Sequence, residues 1–311
     1  MIRARSVTKK FTGRVAIDQI SFDIDAHEIV GLLGSNGAGK TTMMRMLAGY
    51  LMPDEGEIEI AGFSPFNSPA EMKRQVGYLP EQCPLYGDMR VDEYLKYRAY
   101  LKGVPSRQLK ERLFQVKDQC ALGSVSQRII GQLSKGYRQR IGLADTLIHQ
   151  PKVLILDEPT VGLDPHQIRH IRTLIGNLAS EHTILISTHI MQEVEAICER
   201  VMVIREGRLL VTEPLASSAS QDCQKYLLEI EATVEEVEAQ INQITSIQRG
   251  AIEVVAKKVT RVEVELLDAF TVNDLFDWVV SQGWRLHEMH QIHASLEERF
   301  IDWVDQQEKR S

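Results

Sequence analysis

Cysteine is scarce in this sequence, with four residues in a chain of 311. They stand at positions 83, 120, 198 and 223, far apart and without a Cys-x-x-Cys spacing. Zinc sites and small disulfide-framed domains need closely spaced cysteines, so neither is predicted. Scattered thiols of this kind are typical of proteins that stay in a reducing compartment.

Long apolar runs and surplus positive charge are also missing. No stretch approaches the roughly 20 apolar residues that cross a bilayer, and residues 1–5 lead into a strand-like segment without the apolar core of a signal peptide. Lys and Arg total 36 against 43 Asp and Glu, a net charge of −7, whereas a general nucleic-acid binder carries a basic surface. We therefore expect a cytoplasmic protein whose membrane role, if any, comes from a partner, and no nucleic acid among its partners.

The remaining composition, 43% hydrophobic and 25% charged, is that of a soluble globular protein. Its length allows one large domain and a smaller one. The sequence turns to small and polar residues just after position 212, and we interpret 213–222 as a linker. The expected domains are therefore 1–212 and 223–311.

One glycine-rich stretch in the first domain matches the phosphate-loop pattern of a Gly, four free positions and Gly-Lys-Ser/Thr. An apolar run at 29–33 predicts a strand before it, and apolar residues at helical spacing follow it. Backbone amides at such a helix start, together with the helix dipole, bind phosphate. Lys40 can reach the β- and γ-phosphates, and the Thr41 hydroxyl can bind Mg²⁺. The predicted nucleotide-binding residues are Gly34, Ser35, Asn36, Gly37, Ala38, Gly39, Lys40, Thr41 and Thr42.

Two acidic residues, Asp157 and Glu158, end a buried-strand pattern at 153–156. The carboxyl end of a parallel strand is where ligands bind in open α/β sheets. Asp157 suits Mg²⁺, and Glu158 can polarise a water for in-line attack on a γ-phosphorus. The alternative is a pair of strand-end acids that only face solvent.

Periodicity along the rest of the chain predicts an α/β first domain. Strands are expected at 15–24, 56–60, 76–79, 153–156 and 183–186, and a hairpin at 201–211. Two helices are expected within about 88–122, separated by Gly103 and Pro105, and further helices at 133–149 and 165–180. The second domain reads as βαββαβ, the ferredoxin-like order, followed by a last helix. Two capping boxes, Thr233 with Glu236 and Ser295 with Glu298, begin helices in it.

Several motifs occur in the order known from one family. Residues 133–140 (Leu-Ser-Lys-Gly-Tyr-Arg-Gln-Arg) are similar to a Leu-Ser-Gly-Gly-Gln signature, and 162–164 (Gly-Leu-Asp) to its D-loop. Gln82, His189 and Phe11 match its glutamine loop, its switch histidine and the aromatic residue that stacks on adenine. Residues 1–212 thus resemble the nucleotide-binding subunit of an ATP-binding cassette (ABC) transporter.

This resemblance implies a P-loop NTPase fold of the ABC type, with a helical subdomain at about 83–150, ATP and Mg²⁺ as cofactors, and ATP hydrolysis. Two subunits, identical or paralogous, would sandwich two ATPs head to tail, so that Ser134 and Gly136 act on the ATP of the partner. Glu158 would be the general base and His189 would contact the γ-phosphate. Gln82 would sense the metal and the attacking water.

The signature departs from the family at Lys135 and Tyr137, where Gly and Gln are usual. Lys135 either adds a cation near the γ-phosphate or faces solvent. The helical subdomain would dock an integral membrane permease. Three tyrosines in it (Tyr94, Tyr97 and Tyr100) either contact that partner or pack within their helix.

The small second domain and the Leu-Glu-Glu-Arg-Phe segment at 296–300 resemble ATPases paired with a separate, export-type permease. Two other functions stay open. A soluble ABC ATPase acting on nucleic acid or ribosomes would usually carry zinc cysteines, a coiled-coil insertion or two cassettes. A non-hydrolysing module switched by ATP would not need intact Glu158 and His189.

Overall fold

The computed structural model describes residues 1–215, 225–242, 244, 246–256, 258–267, 270–292 and 296–308. The chain divides into two compact units, Met1–Leu215 and Ala216–Ser311. Most of the predicted linker at 213–222 lies outside the described residues, and its first two residues belong to a strand that runs to Pro214. No helix in the described ranges has the length and apolar content that crossing a membrane requires.

A six-stranded sheet forms the centre of the first unit. Its strands are β3 (Ile29–Leu33), β5 (Val76–Leu79), β6 (Val153–Asp157), β7 (Thr183–Thr188), β8 (Arg200–Arg205) and β9 (Arg208–Pro214). They lie in the order β5-β6-β7-β3-β8-β9, all parallel except β9, which pairs with β8 as the predicted hairpin. Every residue of β3, β6 and β7 is buried, because helices cover both faces of a parallel sheet.

A second sheet in this unit is antiparallel. It contains β1 (Ile2–Phe11), β2 (Arg14–Ile24) and β4 (Glu55–Ile60) in the order β2-β1-β4. Val15 at the start of β2 is 45% exposed, and the alternation predicted from the sequence holds from Ile20 to Ile24. The buried residues of β2 are Ile17, Ile20, Phe22 and Ile24. They pack with three methionines of the first helix in one core. That core holds the first helix in place, and with it the carboxyl end of the glycine-rich turn that precedes the helix.

Seven helices complete the first unit. They are α1 (Lys40–Leu47), α2 (Pro69–Gln75), α3 (Val91–Leu101), α4 (Ser106–Gln119), α5 (Lys135–Leu147), α6 (Pro165–Leu178) and α7 (Met191–Ile197). The predicted helices correspond to α3 to α6, which confirms them. The sequence analysis missed α2 and α7, because seven residues are too few to show a helical period.

An ion pair ties α3 to α5 in the helical part of this unit. Arg98 donates from Nε and Nη2 to the two carboxylate oxygens of Asp145, both at 2.9 Å, and Lys102 lies 3.1 Å from the same carboxylate. Burial disfavours the charge of Arg98, but the bonds with Asp145 outweigh it and raise its pKa. The bidentate geometry orients α3 against α5.

The second unit has the predicted βαββαβ order. Its elements are β10 (Lys225–Glu231), α8 (Val234–Ile241), β11 (Ile247–Ala256), β12 (Val259–Leu266), α9 (Val272–Ser281), β13 (Arg285–Ile292) and α10 (Leu296–Glu308). The sheet is antiparallel in the order β11-β12-β10-β13, which is the ferredoxin-like topology. The capping box of Thr233 and Glu236 is confirmed. The box predicted at Ser295 lies outside the described residues.

Because each unit has its own core, we expect Leu275→Ala to destabilise the second unit alone. Leu275 is fully buried in α9, so truncation should lower that unit's free energy of unfolding by about 2–5 kcal/mol. Calorimetry of the full chain should show one transition shifted and one unchanged. Val254→Ala, at a side chain that is 69% exposed, is the control. An equal shift of both transitions would contradict independent cores.

Candidate functional site

The glycine-rich turn lies between β3 and α1, as predicted. Gly39 has a φ of 114°, and a Cβ there would come within 2.8 Å of the Ala16 carbonyl oxygen. A Cβ at Gly34 would overlap the Ile204 carbonyl oxygen. Both positions therefore require glycine. The Arg14 guanidinium donates to the Gly37 carbonyl at 2.9 Å and supports the turn from β2.

Lys40, the first residue of α1, lies inside this turn. Its side chain is buried, and Nζ donates to the carbonyl oxygens of Gly34 at 2.7 Å and Ser35 at 3.3 Å. Nζ also lies 3.6 Å from Oε1 of Glu158. Two carbonyl groups of the turn therefore hold the ammonium, and a carboxylate faces it.

Asp157 ends β6 and is 1% exposed. Its Oδ1 accepts from Thr41 Oγ1 at 3.5 Å and from Ser187 Oγ at 2.5 Å. A carboxylate and a hydroxyl are hard oxygen donors of the kind that Mg²⁺ prefers. The donor set of Thr41 and Asp157 therefore fits the predicted ion.

Glu158 follows Asp157 in a strained backbone conformation. Its φ is 48°, in the left-handed region that non-glycine residues avoid, and such strain is found mainly at functional sites. The Glu158 amide donates to the Ser187 carbonyl at 3.1 Å and to Ser187 Oγ at 3.0 Å. These bonds fix the Glu158 backbone, and its carboxylate, in a residue that is 7% exposed, lies at the edge of the sheet.

His189 meets that carboxylate from the end of β7. Its Nδ1 lies 2.9 Å from Oε2 of Glu158, while the ring remains about half exposed. Five predicted site residues thus come together at the carboxyl edge of β3, β6 and β7: Lys40, Thr41, Asp157, Glu158 and His189. This arrangement can hold a polyphosphate and polarise a water molecule beside it.

Gln82 and Phe11 lie apart from this group. Gln82 is exposed in the segment after β5, and Phe11 is 49% exposed at the end of β1. Within residues 1–215, all of which are described, no side-chain hydrogen bond or ion pair joins either residue to the group. The exposed ring of Phe11 is open to stacking, and Lys9 Nζ lies 5.7 Å from its centroid.

The signature residues begin α5. The Ser134 hydroxyl accepts from the Tyr137 amide at 3.4 Å and caps the helix, and the Tyr137 ring stacks on the Arg140 guanidinium at 4.3 Å. A Cβ at Gly136 would meet the side-chain amide of Gln167 at 2.6 Å, so a larger residue there would have to displace that side chain. A cavity of about 320 Å³ opens at this point. Its lining residues are Ser134, Gly136, Tyr137, Arg140, Asp164, His166, Gln167, His170 and Ile171.

The sequence analysis missed the part that Ser187 plays. Parallel pairing sets Asp157 opposite Ser187. The Ser187 hydroxyl can therefore donate to the Asp157 carboxylate and accept from the Glu158 amide. A serine in the otherwise apolar run of a buried strand was the available signal.

The departure from the family signature at Lys135 has a structural consequence as well, since its ammonium lies against Gly162 of the D-loop-like turn.

Comparison with known proteins agrees with this geometry. Residues 17–161 match the family model described as ABC transporter. The chain is 32% identical over 305 residues to an uncharacterized ABC transporter ATP-binding protein, YhcH of Bacillus subtilis (strain 168), covering 97% of this chain and 95% of that protein. It is 39% identical over 213 residues to the Nod factor export ATP-binding protein I of Sinorhizobium fredii (strain NBRC 101917 / NGR234), covering 68% and 62%.

Among solved structures, the ATP-binding subunit of an ABC transporter superposes with a TM-score of 0.64 at 27% identity, covering 70% of this chain and 91% of that one. These matches confirm the ABC-type fold of the first unit. The chain belongs to the ABC transporter ATP-binding proteins, and it is an ATPase subunit of that family.

Proposed function

We propose that two copies of this chain, or one copy and a paralogue, close around two ATP molecules and thereby drive an export-type membrane permease. The observation that carries this proposal is the separation of two phosphate-binding elements within one chain. The cavity lined by Ser134 and Gly136 includes no residue of the turn at 34–42. In this proposal, a γ-phosphate held by Lys40 in one chain receives its second set of contacts from Ser134 and Gly136 of another.

Each residue of the gathered group has a role in hydrolysis. Lys40 and the amides of 34–42 bind the β- and γ-phosphates. Thr41 and Asp157 would hold Mg²⁺, which supplies positive charge for the phosphates. Glu158 accepts a proton from the water that attacks the γ-phosphorus while the bond to ADP breaks.

Three further residues, in addition to Glu158, contribute to the proposed site. His189, whose Nδ1 lies 2.9 Å from Glu158, contacts the γ-phosphate. Gln82, in the exposed segment after β5, would contact the metal and the attacking water. The accessible ring of Phe11 stacks on the adenine.

The permease would dock where aromatic side chains are exposed next to a groove. Tyr97 and Tyr100 are 40% and 51% exposed, and Leu101 is 61% exposed, whereas Tyr94 is buried and packs inside the subdomain. Of the three tyrosines, one therefore packs within the subdomain and two are available to a partner. Leu101 lines the groove, as does Tyr50, which is 71% exposed. Exposed aromatic residues beside a cavity are typical of partner-binding sites.

The adjoining groove, about 410 Å³ in volume, is cationic. Four basic residues line it, namely Lys73, Arg74, Arg98 and Lys102, and no acidic residue does. Because Arg98 and Lys102 are paired with Asp145, the charge open to a partner comes from Lys73 and Arg74. His149 also lines it, and burial together with the charge of Lys102 lowers its pKa to about 4, so this imidazole is neutral at pH 7. The groove thus fits a permease segment with an apolar face and an acidic residue.

Export is supported by the name of a relative, the Nod factor export ATP-binding protein I, and by the small second unit that follows the cassette. The contact of Glu158 with His189 favours hydrolysis over a module that only binds ATP. The acidic net charge gives no support to action on nucleic acid.

We expect Glu158→Gln to slow ATP hydrolysis by roughly 10²- to 10⁴-fold, the usual contribution of a general base. The amide keeps the shape of the carboxylate, so ATP should still bind and should hold two copies together. Phosphate release and light scattering with ATP measure the two effects. Glu199→Gln, at an exposed acid, is the control. A Glu158→Gln variant with the wild-type rate would overturn the assignment of the base.

A photo-crosslinking residue at Leu101 should link the full chain to an integral membrane protein in membranes of the native host. The same residue at Phe114, which is 70% exposed on α4, is the matched control because it lies away from the groove. Gel mobility and mass spectrometry identify the adduct. Equal adducts at both positions, or none at Leu101, would count against this docking surface.

A further inference from the structure

A buried carboxylate lies behind the pair of Glu158 and His189. It belongs to Glu193 on α7, which is 3% exposed and has no part in binding the phosphates. Its Oε2 accepts from the Thr160 hydroxyl at 2.6 Å and from the Thr188 hydroxyl at 3.1 Å. One oxygen atom thus receives two buried donors.

These two donors belong to the two segments that carry the reacting side chains. Thr160 lies two residues after Glu158, in the turn that leads to α6, and Thr188 directly precedes His189. Both threonines are at most 3% exposed. The Thr188 hydroxyl also accepts from the Ile190 amide at 3.1 Å, which holds the turn beyond β7. Glu193 therefore joins the Glu158 segment to the His189 segment by a route separate from their direct contact.

The cost of this arrangement points to a purpose other than stability. Within residues 1–215, no lysine, arginine or histidine forms an ion pair with Glu193, and its Oε1 is buried with no hydrogen-bond partner. Burying a carboxylate without a cation is unfavourable, and an apolar side chain at this position would avoid that cost. A buried polar atom left without a partner in a folded protein calls for an explanation.

We propose that Glu193 is a positioning residue that holds His189 and Glu158 at their 2.9 Å contact. It acts through Thr160 and Thr188 and does not touch ATP. The inference rests on the proposed roles of Glu158 and His189 in hydrolysis. Because a displacement of about 1 Å in a reacting group can cost roughly 10²-fold in rate, loss of this link should lower kcat.

The sharpest test compares Thr160→Val with Thr160→Ser. Valine has the shape of threonine without the donor, and serine keeps the donor. We expect Thr160→Val to lower kcat for ATP hydrolysis by roughly 10-fold or more, with KM for ATP within about twofold because residues 34–42 are untouched. Thr160→Ser should hydrolyse ATP at nearly the wild-type rate. A merely structural threonine would not separate kcat from KM in this way.

A second pair of variants changes the acceptor. Glu193→Gln keeps an oxygen for both hydroxyls and should stay within about threefold of the wild-type kcat, whereas Glu193→Ala should show the same loss as Thr160→Val. Adding Thr160→Val to Glu193→Ala should cause little further loss, since both remove one link. Gln192→Ala, at an exposed neighbour on α7, controls for disturbance of the helix.

The inference is overturned if Thr160→Val and Thr160→Ser hydrolyse ATP alike, or if Glu193→Ala matches the wild type. It is also overturned if kcat falls only in proportion to a loss of folded protein, which thermal unfolding of each variant measures. Glu158→Gln and His189→Ala separate the two proposals. If both of these retain full activity, the proposed function fails; if both lose activity and Thr160→Val does not, only the role of Glu193 fails.

Discussion

The parallel pairing of β3, β6 and β7 is the constraint on which the site depends. Pairing sets Leu33 beside Thr188 and Asp157 beside Ser187, so three strands end at one edge. The residues that follow each strand therefore lie close to one another. The glycine-rich turn, the acidic pair and the histidine are far apart in sequence, and only this register brings them within hydrogen-bond distance of one another.

Charge at that edge is unbalanced in a way that suits the proposed ligands. One buried cation, Lys40, faces two buried carboxylates, Asp157 and Glu158. Buried charges are stable when they are paired, so the surplus negative charge favours a divalent cation beside Asp157. Lys40 and the amides of the turn, by contrast, favour an anion. The two halves of the site therefore complement a metal–triphosphate complex.

Local patterns predicted much of this structure. The turn at 34–42, the strand that ends at Asp157 and the βαββαβ order of the second unit each depend on neighbours in sequence, and each is confirmed as structure. Ser187 and Glu193 escaped prediction, because Ser187 bonds Asp157 and Glu193 bonds Thr160, each about 30 residues away in the sequence. The different exposure of the tyrosines also escaped prediction, because it depends on what packs against α3, which buries Tyr94 and leaves Tyr97 at the surface.

The most direct test of the shared site mixes two inactive variants, Lys40→Ala and Ser134→Arg. If each ATP is bound by residues 34–42 of one chain and by the signature of another, a mixed pair contains one site with both elements intact. The mixture should then hydrolyse ATP well above the sum of the separate variants. A mixture no more active than that sum, under conditions where mixed pairs form, would contradict the account.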